Sequence, residues 1–153
     1  MPLQLFDEAE LLLGALKCWS VALYAGTALN PSMRIVLELL LLEGPTTVPA
    51  MARVRRASRQ HIQQQVDALV QRGLVERREN PAHKRSSLIA LTDKGRALTQ
   101  NMRAEARNAL SRMQVGVSDK AMSEAAQVLS AWRSAFEQDT KPRLSARRVD
   151  HKP

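Results

Sequence analysis

Residues Val66 to Thr92 read VDALVQRGLVERRENPAHKRSSLIALT. Val66, Leu69 and Val70 continue an apolar stripe begun at Ile62, and their i, i+4, i+7, i+8 spacing is that of one buried helix face. Gly73 then falls where a helix needs a left-handed C-terminal cap. Two short strands, about Leu74 to Arg78 and Ser87 to Leu91, flank a basic turn that Asn80-Pro81 starts. Thr92 caps a further helix. The order is therefore helix, glycine, strand, basic turn, strand and helix cap.

Working upstream, Ser58 caps the helix that carries the stripe, whose opposite face bears Gln60, Gln64 and Gln71 with His61 at its edge. Thr47 and Pro49 pair a cap with a first-turn proline and open a short helix, Pro49 to Val54, with Met51 and Val54 as its inward residues. Asn30 and Pro31 repeat that arrangement for a helix through Leu42, which stops at Gly44-Pro45. A first helix covers about Leu5 to Ala28. Downstream, the helix capped by Thr92 extends to about Val115, Gly116 breaks it, and Ser118 restarts a last helix to about Gln138. Beyond Asp139 the chain holds two prolines, several arginines and little apolar content, the composition of a disordered tail.

The 153 residues, 44% of them hydrophobic, suffice for one globular domain with a core. A formal charge of +8 calls for a polyanionic partner, but charge alone does not separate nucleic acid from an anionic membrane. Its location is more telling. Residues 53 to 85 hold nine basic residues against three acidic ones, whereas residues 1 to 52 hold two against five. The excess sits on the glutamine-bearing helix and the turn. The lone cysteine excludes an intramolecular disulfide and suits a reducing cytoplasm. The apolar run from Leu11 to Leu29 approaches the length of a membrane span, yet Lys17 interrupts it, and Asp7, Glu8 and Glu10 stand where a signal peptide carries positive charge. A helix apolar on most faces is more simply one buried between two packed bodies.

These elements describe a mainly α fold with a small β-hairpin wing, a winged helix-turn-helix with terminal helices. Residues from about Leu29 to Leu98 resemble the DNA-binding core of the MarR family of transcriptional regulators. The resemblance rests on the Asn-Pro opening at Asn30, GPTTVPAMARV from Gly44, SRQHIQQQVDALVQRGLV from Ser58, the wing NPAHKR from Asn80 and the LTDKG return from Leu91. It divides the chain into an N-terminal dimerisation helix at 1–28, a winged region at 29–98, C-terminal dimerisation helices at 99–138 and a basic tail at 139–153. The family's wing usually carries acids at the positions of Asn80 and His83. Here the basic pair survives as Lys84 and Arg85.

Each side chain of this surface admits two readings. The glutamines could form a solvated face, but neutral amides without interspersed Lys and Glu suit base edges better, so Gln60 and Gln64 are expected to read bases. His61 could meet a base, a phosphate or water. Ser58 with Arg59, and Arg53, Arg55, Arg56, Arg72 and Arg77, are expected around the phosphates, which position a protein without specifying sequence. Arg72 or Arg77 could instead pair with Asp67 or Glu79. Lys84 and Arg85 at the hairpin tip are placed to enter a minor groove.

The first helix shows leucines around much of its circumference, and the last carries Ala121, Met122, Ala125, Val128, Leu129, Trp132 and Phe136 at helical spacing. The resemblance implies that these terminal helices form a homodimer on a pseudopalindromic operator, with repression as the expected outcome. It also implies release by a small aromatic or lipophilic effector in a crevice, for which Trp19, Tyr24 and Arg34 are candidates; ordinary packing is the plainer account of all three. Some members sense peroxide through a first-helix cysteine, making Cys18 an alternative, although Lys17 points about 100° away from it on a helix. A non-sensing architectural DNA-binding protein is the competing class. His61, His83 and His151 lack metal-ligand spacing, and no nucleophile elbow, phosphate-binding loop or carboxylate pair marks an enzyme. No cofactor is expected.

Overall fold

The computed structural model describes residues 2–83 and 85–149, and the side chains of 3–83 and 85–140. The chain divides into two units, residues 1–112 and 113–153. The first contains α1 (Pro2–Leu23), α2 (Pro31–Glu43), β1 (Thr46–Thr47), α3 (Val48–Arg55), α4 (Arg59–Gln71), β2 (Val75–Arg78), β3 (Leu88–Leu91) and α5 (Asp93–Ser111). The second contains α6 (Asp119–Val149).

The caps read from the sequence act as written. Asn30, Thr47, Ser58 and Thr92 each accept a hydrogen bond from the backbone N–H three residues on, satisfying a donor that a helix start leaves unpaired. Helix α1 stops at Leu23, short of Ala28, because the Thr27 hydroxyl and N–H both turn back to the Tyr24 carbonyl, at 2.8 and 2.9 Å. Helix α6 continues past Gln138 to Val149, which corrects the helix end expected from the sequence. Leu144, Ala146, Arg147 and Arg148 rank high in helix propensity, a factor that a reading from charge and proline alone leaves out. Residues 150–153 lie outside the described residues.

One core organises the first unit. Leu37 and Leu40 of α2, Met51 of α3, Val66 and Leu69 of α4 and Ile89 of β3 are all at most 2% exposed. In α3 the inward set is Val48, Met51 and Ala52, while Val54 is 65% exposed. The expected inward Val54 is therefore wrong. The buried i, i+3, i+4 face passes through 48, 51 and 52 and leaves 54 about 120° from Val48.

The sheet has three antiparallel strands in the order β1-β3-β2, one more than the expected hairpin. Thr46 pairs with Ile89 and Thr47 with Leu88, while Val75 to Arg78 pair with Leu91 back to Leu88. A two-residue strand is too short to show alternation, so Thr47 was legible only as a helix cap.

The junction of α4, β2 and α5 is the tightest point of the fold. Gly73, at φ 67°, and Leu74 send their N–H groups back to the Val70 and Leu69 carbonyls at 2.9 and 3.0 Å, closing α4 in a Schellman turn. The Thr92 hydroxyl donates to the Gly73 carbonyl at 2.7 Å and accepts from Gly95 N–H at 3.0 Å. A Cβ on Gly95 would stand 1.9 Å from the Leu74 carbonyl oxygen. Gly95→Ala is therefore expected to lower stability by about 2 kcal/mol, through backbone displacement, read as a reduced urea midpoint at unchanged slope.

Candidate nucleic-acid interface

Helix α4 is held so that one face is buried and the other free. Ile62, Val66 and Leu69 fix it to the core, and Ser58 caps its start by accepting from His61 N–H at 3.1 Å. The turn from α3 passes through Arg56 at φ 50°, a left-handed conformation that costs a residue bearing a Cβ about 1 kcal/mol. Arg53, Arg55, Arg56, Ser58, Arg59, Gln60 and Gln64 are all exposed. No amide hydrogen bond of Gln60 or Gln64 is found among the described residues.

The two flanks of α4 are fastened differently. Toward α2, Asn30 Nδ2 donates to Gln65 Oε1 at 3.0 Å, and the His61 ring stands 3.2 Å from the Ser32 hydroxyl. His61 thus leans on the start of α2, a fourth option beside the base, phosphate and water considered from the sequence. Toward the sheet, Arg77 of β2 reaches Asp67 of α4 at 2.5 Å, with both side chains about half exposed. Arg72 donates to the carbonyls of Ala68 and Ala28 at 3.2 and 3.4 Å. Arg77 therefore adopts the pairing with Asp67 that the sequence left open, and Arg72 caps carbonyls.

Between the start of α3, α4 and the wing lies a groove of about 430 Å³, lined among others by Arg59, Gln60, Gln63, Arg77 and Arg85. The structure thus gathers residues that are up to 26 positions apart in sequence. Sequence reasoning missed Gln63, which sits beside the glutamine face and is half-buried against the wing side. Its signal was its place one turn before Asp67.

The wing turn is closed by Asn80. Its Nδ2 donates to the Ser86 carbonyl at 2.9 Å, and its Oδ1 accepts from Ala82 N–H at 3.1 Å. A neutral amide performs both halves of this clasp because it is donor and acceptor at once. Arg85 is exposed on the turn. Lys84, expected beside it, lies outside the described residues.

Residues 29–86 match the sequence model of the MarR family. The fold also matches the crystal structure of a MarR family transcription regulator at 28% identity, covering 90% of this chain and 93% of the other with a TM-score of 0.74. Residues 29–86 thus carry the sequence pattern of the MarR family, and the chain is similar in fold to its transcription regulators. It shares its fold with a MarR family protein from Bacillus stearothermophilus, at 20% identity, 90% and 94% coverage and a TM-score of 0.74. It shares it equally with reduced AbfR bound to DNA, at 20% identity, 90% and 93% coverage and a TM-score of 0.72. No curated protein matches the sequence closely enough to add a relative.

A second cavity, of about 390 Å³, opens between α1 and α2, lined by Leu16, Lys17, Ser20, Val21, Tyr24, Pro31, Arg34, Ile35 and Glu38. Tyr24 and Arg34 meet there, with the guanidinium 4.7 Å from the ring centroid. Arg34 is 6% exposed and donates to the Ser20 hydroxyl at 2.9 Å and the Leu29 carbonyl at 3.4 Å. Trp19 is half-buried and does not line the cavity. Cys18 is exposed on α1 and is likewise outside the lining. Among the described residues no helix is long and apolar enough to cross a membrane, and no group of three or more His, Cys, Asp or Glu side chains could hold a metal ion.

The Tyr24 hydroxyl donates to the Met102 carbonyl of α5 at 3.2 Å. Burial pushes its pKa above the ordinary 10.0, and Glu38 and Glu105 add to the rise while Arg34 opposes it. The folded chain thus keeps the phenol neutral to higher pH than the unfolded chain does. Its contribution to stability is complete below pH 10 and is lost as pH climbs through the raised value. Tyr24→Phe should cost about 1 kcal/mol at neutral pH through the lost hydrogen bond. It should also flatten the alkaline fall in stability, as measured by urea titrations between pH 8 and 11.

Proposed function

We propose that the protein is a homodimeric repressor that binds a pseudopalindromic DNA operator through α4 and the wing. The observation that carries this reading is the groove joining Arg59, Gln60, Gln63 and Arg85, set beside the exposed Arg53, Arg55 and Arg56. Helix α4 has 13 residues, a rod about 20 Å long and about 10–12 Å across, and a major groove about 12 Å wide admits it. In this reading Gln60 and Gln64 meet base edges, Ser58, Arg59 and the α3 arginines meet phosphates, and Lys84 and Arg85 enter the adjoining minor groove. AbfR, which has the same fold, was solved on DNA, and this supports the reading.

Dimerisation answers the exposed apolar surface. Leu11, Leu12, Leu13 and Leu16 of α1 are 48–69% exposed within the chain, and Met122, Val128, Leu129 and Phe136 of α6 are 44–52% exposed. Apolar stripes of this extent are interaction surfaces, and a second copy places two recognition helices about 34 Å apart, one turn of DNA. The α1–α2 cavity is where a small effector would act, binding the DNA-competent and incompetent dimers unequally. A DNA-binding role and a single cysteine support a cytoplasmic location.

Selection of binding sites from a random duplex pool tests this reading. An enriched inverted repeat with half-sites one turn apart is expected, bound by two chains in sedimentation experiments. Arg85→Ala should weaken binding to it and lower the slope of log affinity against log salt by about one unit. Salt-sensitive binding without an enriched motif would establish the architectural alternative instead.

A further inference from the structure

Three side chains at the edge of the groove form one connected unit. Gln63 Nε2 donates to Asp67 Oδ1 at 2.9 Å, and Arg77 Nη2 donates to the same oxygen at 2.5 Å. An ionised carboxylate only accepts hydrogen bonds, so the Gln63 atom facing it must be the nitrogen. This fixes the polarity of the amide. Oε1 of Gln63, without a hydrogen-bond partner among the described residues, is what the side chain retains to offer the groove that it lines. Gln60 and Gln64 differ, because their amides are unengaged among the described residues and can present either atom.

An ion pair as exposed as Asp67 and Arg77, at 43% and 50% for the arginine and aspartate, adds little to folding stability. Its arrangement has two other consequences. Arg77 cancels a carboxylate on the helix that faces DNA, and it ties β2 of the wing to that helix.

We infer that Gln63 is a specificity-determining residue that reads a base amino group, with Asp67 and Arg77 as its positioning residues. The inference rests on the DNA-binding reading above. In the major groove, cytosine offers N4–H₂ and adenine N6–H₂, whereas guanine and thymine present acceptors at O6 or O4. An outward carbonyl oxygen accepts from the first two and repels the others. With its nitrogen held by Asp67, Gln63 cannot form the two-point contact to adenine that a free glutamine makes, so adenine and cytosine are equivalent to it.

The test is a set of operators carrying each base at every half-site position, taken from the site selection. At one position per half-site the wild-type protein should bind adenine and cytosine alike, each on the order of tenfold tighter than guanine or thymine. Gln63→Ala should abolish the preference at that position alone and leave the salt slope unchanged, since a neutral side chain is removed. Asp67→Ala frees the amide, so adenine should gain over cytosine and guanine should become acceptable. It also frees the Arg77 guanidinium, which should steepen the salt slope by about one unit. The double variant Asp67→Ala/Arg77→Ala should keep the relaxed preference without the steeper slope. Specific binding by the wild type with an unaltered base preference in Gln63→Ala would overturn the inference and leave the regulator reading intact. Absence of any enriched sequence for the wild type would remove the reading itself.

Discussion

Helix α4, the sheet and α5 are brought together where Gly95 meets the Leu74 carbonyl, an approach that leaves no room for a Cβ. The Schellman turn at Gly73 reverses the chain out of α4, and the Thr92 hydroxyl bridges that turn to the first turn of α5. Because Thr92 N–H also donates to the Leu74 carbonyl at 3.2 Å, the two wing strands leave and re-enter the domain at one fixed point. Their four-residue ladder then sets the direction of the turn that carries Arg85. The reach of the wing relative to α4 is thus decided far from the wing, by a glycine and a threonine.

Positive charge on this surface falls into two kinds. Arg72 and Arg77 are engaged within the chain, by carbonyls and by Asp67. Arg59 and Arg85 line the groove, and Arg53 and Arg55 are exposed on α3. The engaged arginines orient elements, and a nucleic acid would have to displace existing contacts to recruit them. Only the second kind contributes fully to counterion release, so the salt dependence of binding should be shallower than a count of basic residues suggests.

Much of this was legible in the sequence. Caps at Asn30, Thr47, Ser58 and Thr92, the stripe from Ile62 to Leu69 and the glycine at 73 are local signals, each decided by residues within one or two turns, and all have counterparts in the structure. What escaped depends on residues distant in sequence. Strand β1 exists because Leu88 and Ile89 pair with Thr46 and Thr47, and nothing near the threonines encodes that partner. His61 was placed at the edge of the free face, open to base, phosphate or water, but Ser32, 29 positions away, draws it toward α2. Gln63 and Val54 show the limit of helical periodicity. A shift of one residue in phase moves a side chain from a core face to a flank, and the phase of α3 is set by packing rather than by its own sequence.

The position of Arg34 bears on how an α1–α2 cavity could influence the DNA-facing surface. A nearly buried guanidinium that has no ion pair among the described residues is held by a hydroxyl, a carbonyl and the Tyr24 ring, each a weaker partner than an anion. Tyr24 in turn donates to α5, whose first turn is fixed to the end of α4 through Thr92 and Gly95. Contacts therefore run without a gap from the cavity lining to α4. A contiguous path is not by itself coupling. Influence over DNA requires two arrangements of this path that a ligand binds unequally. An anion entering the cavity would offer Arg34 a stronger partner than any of its present three.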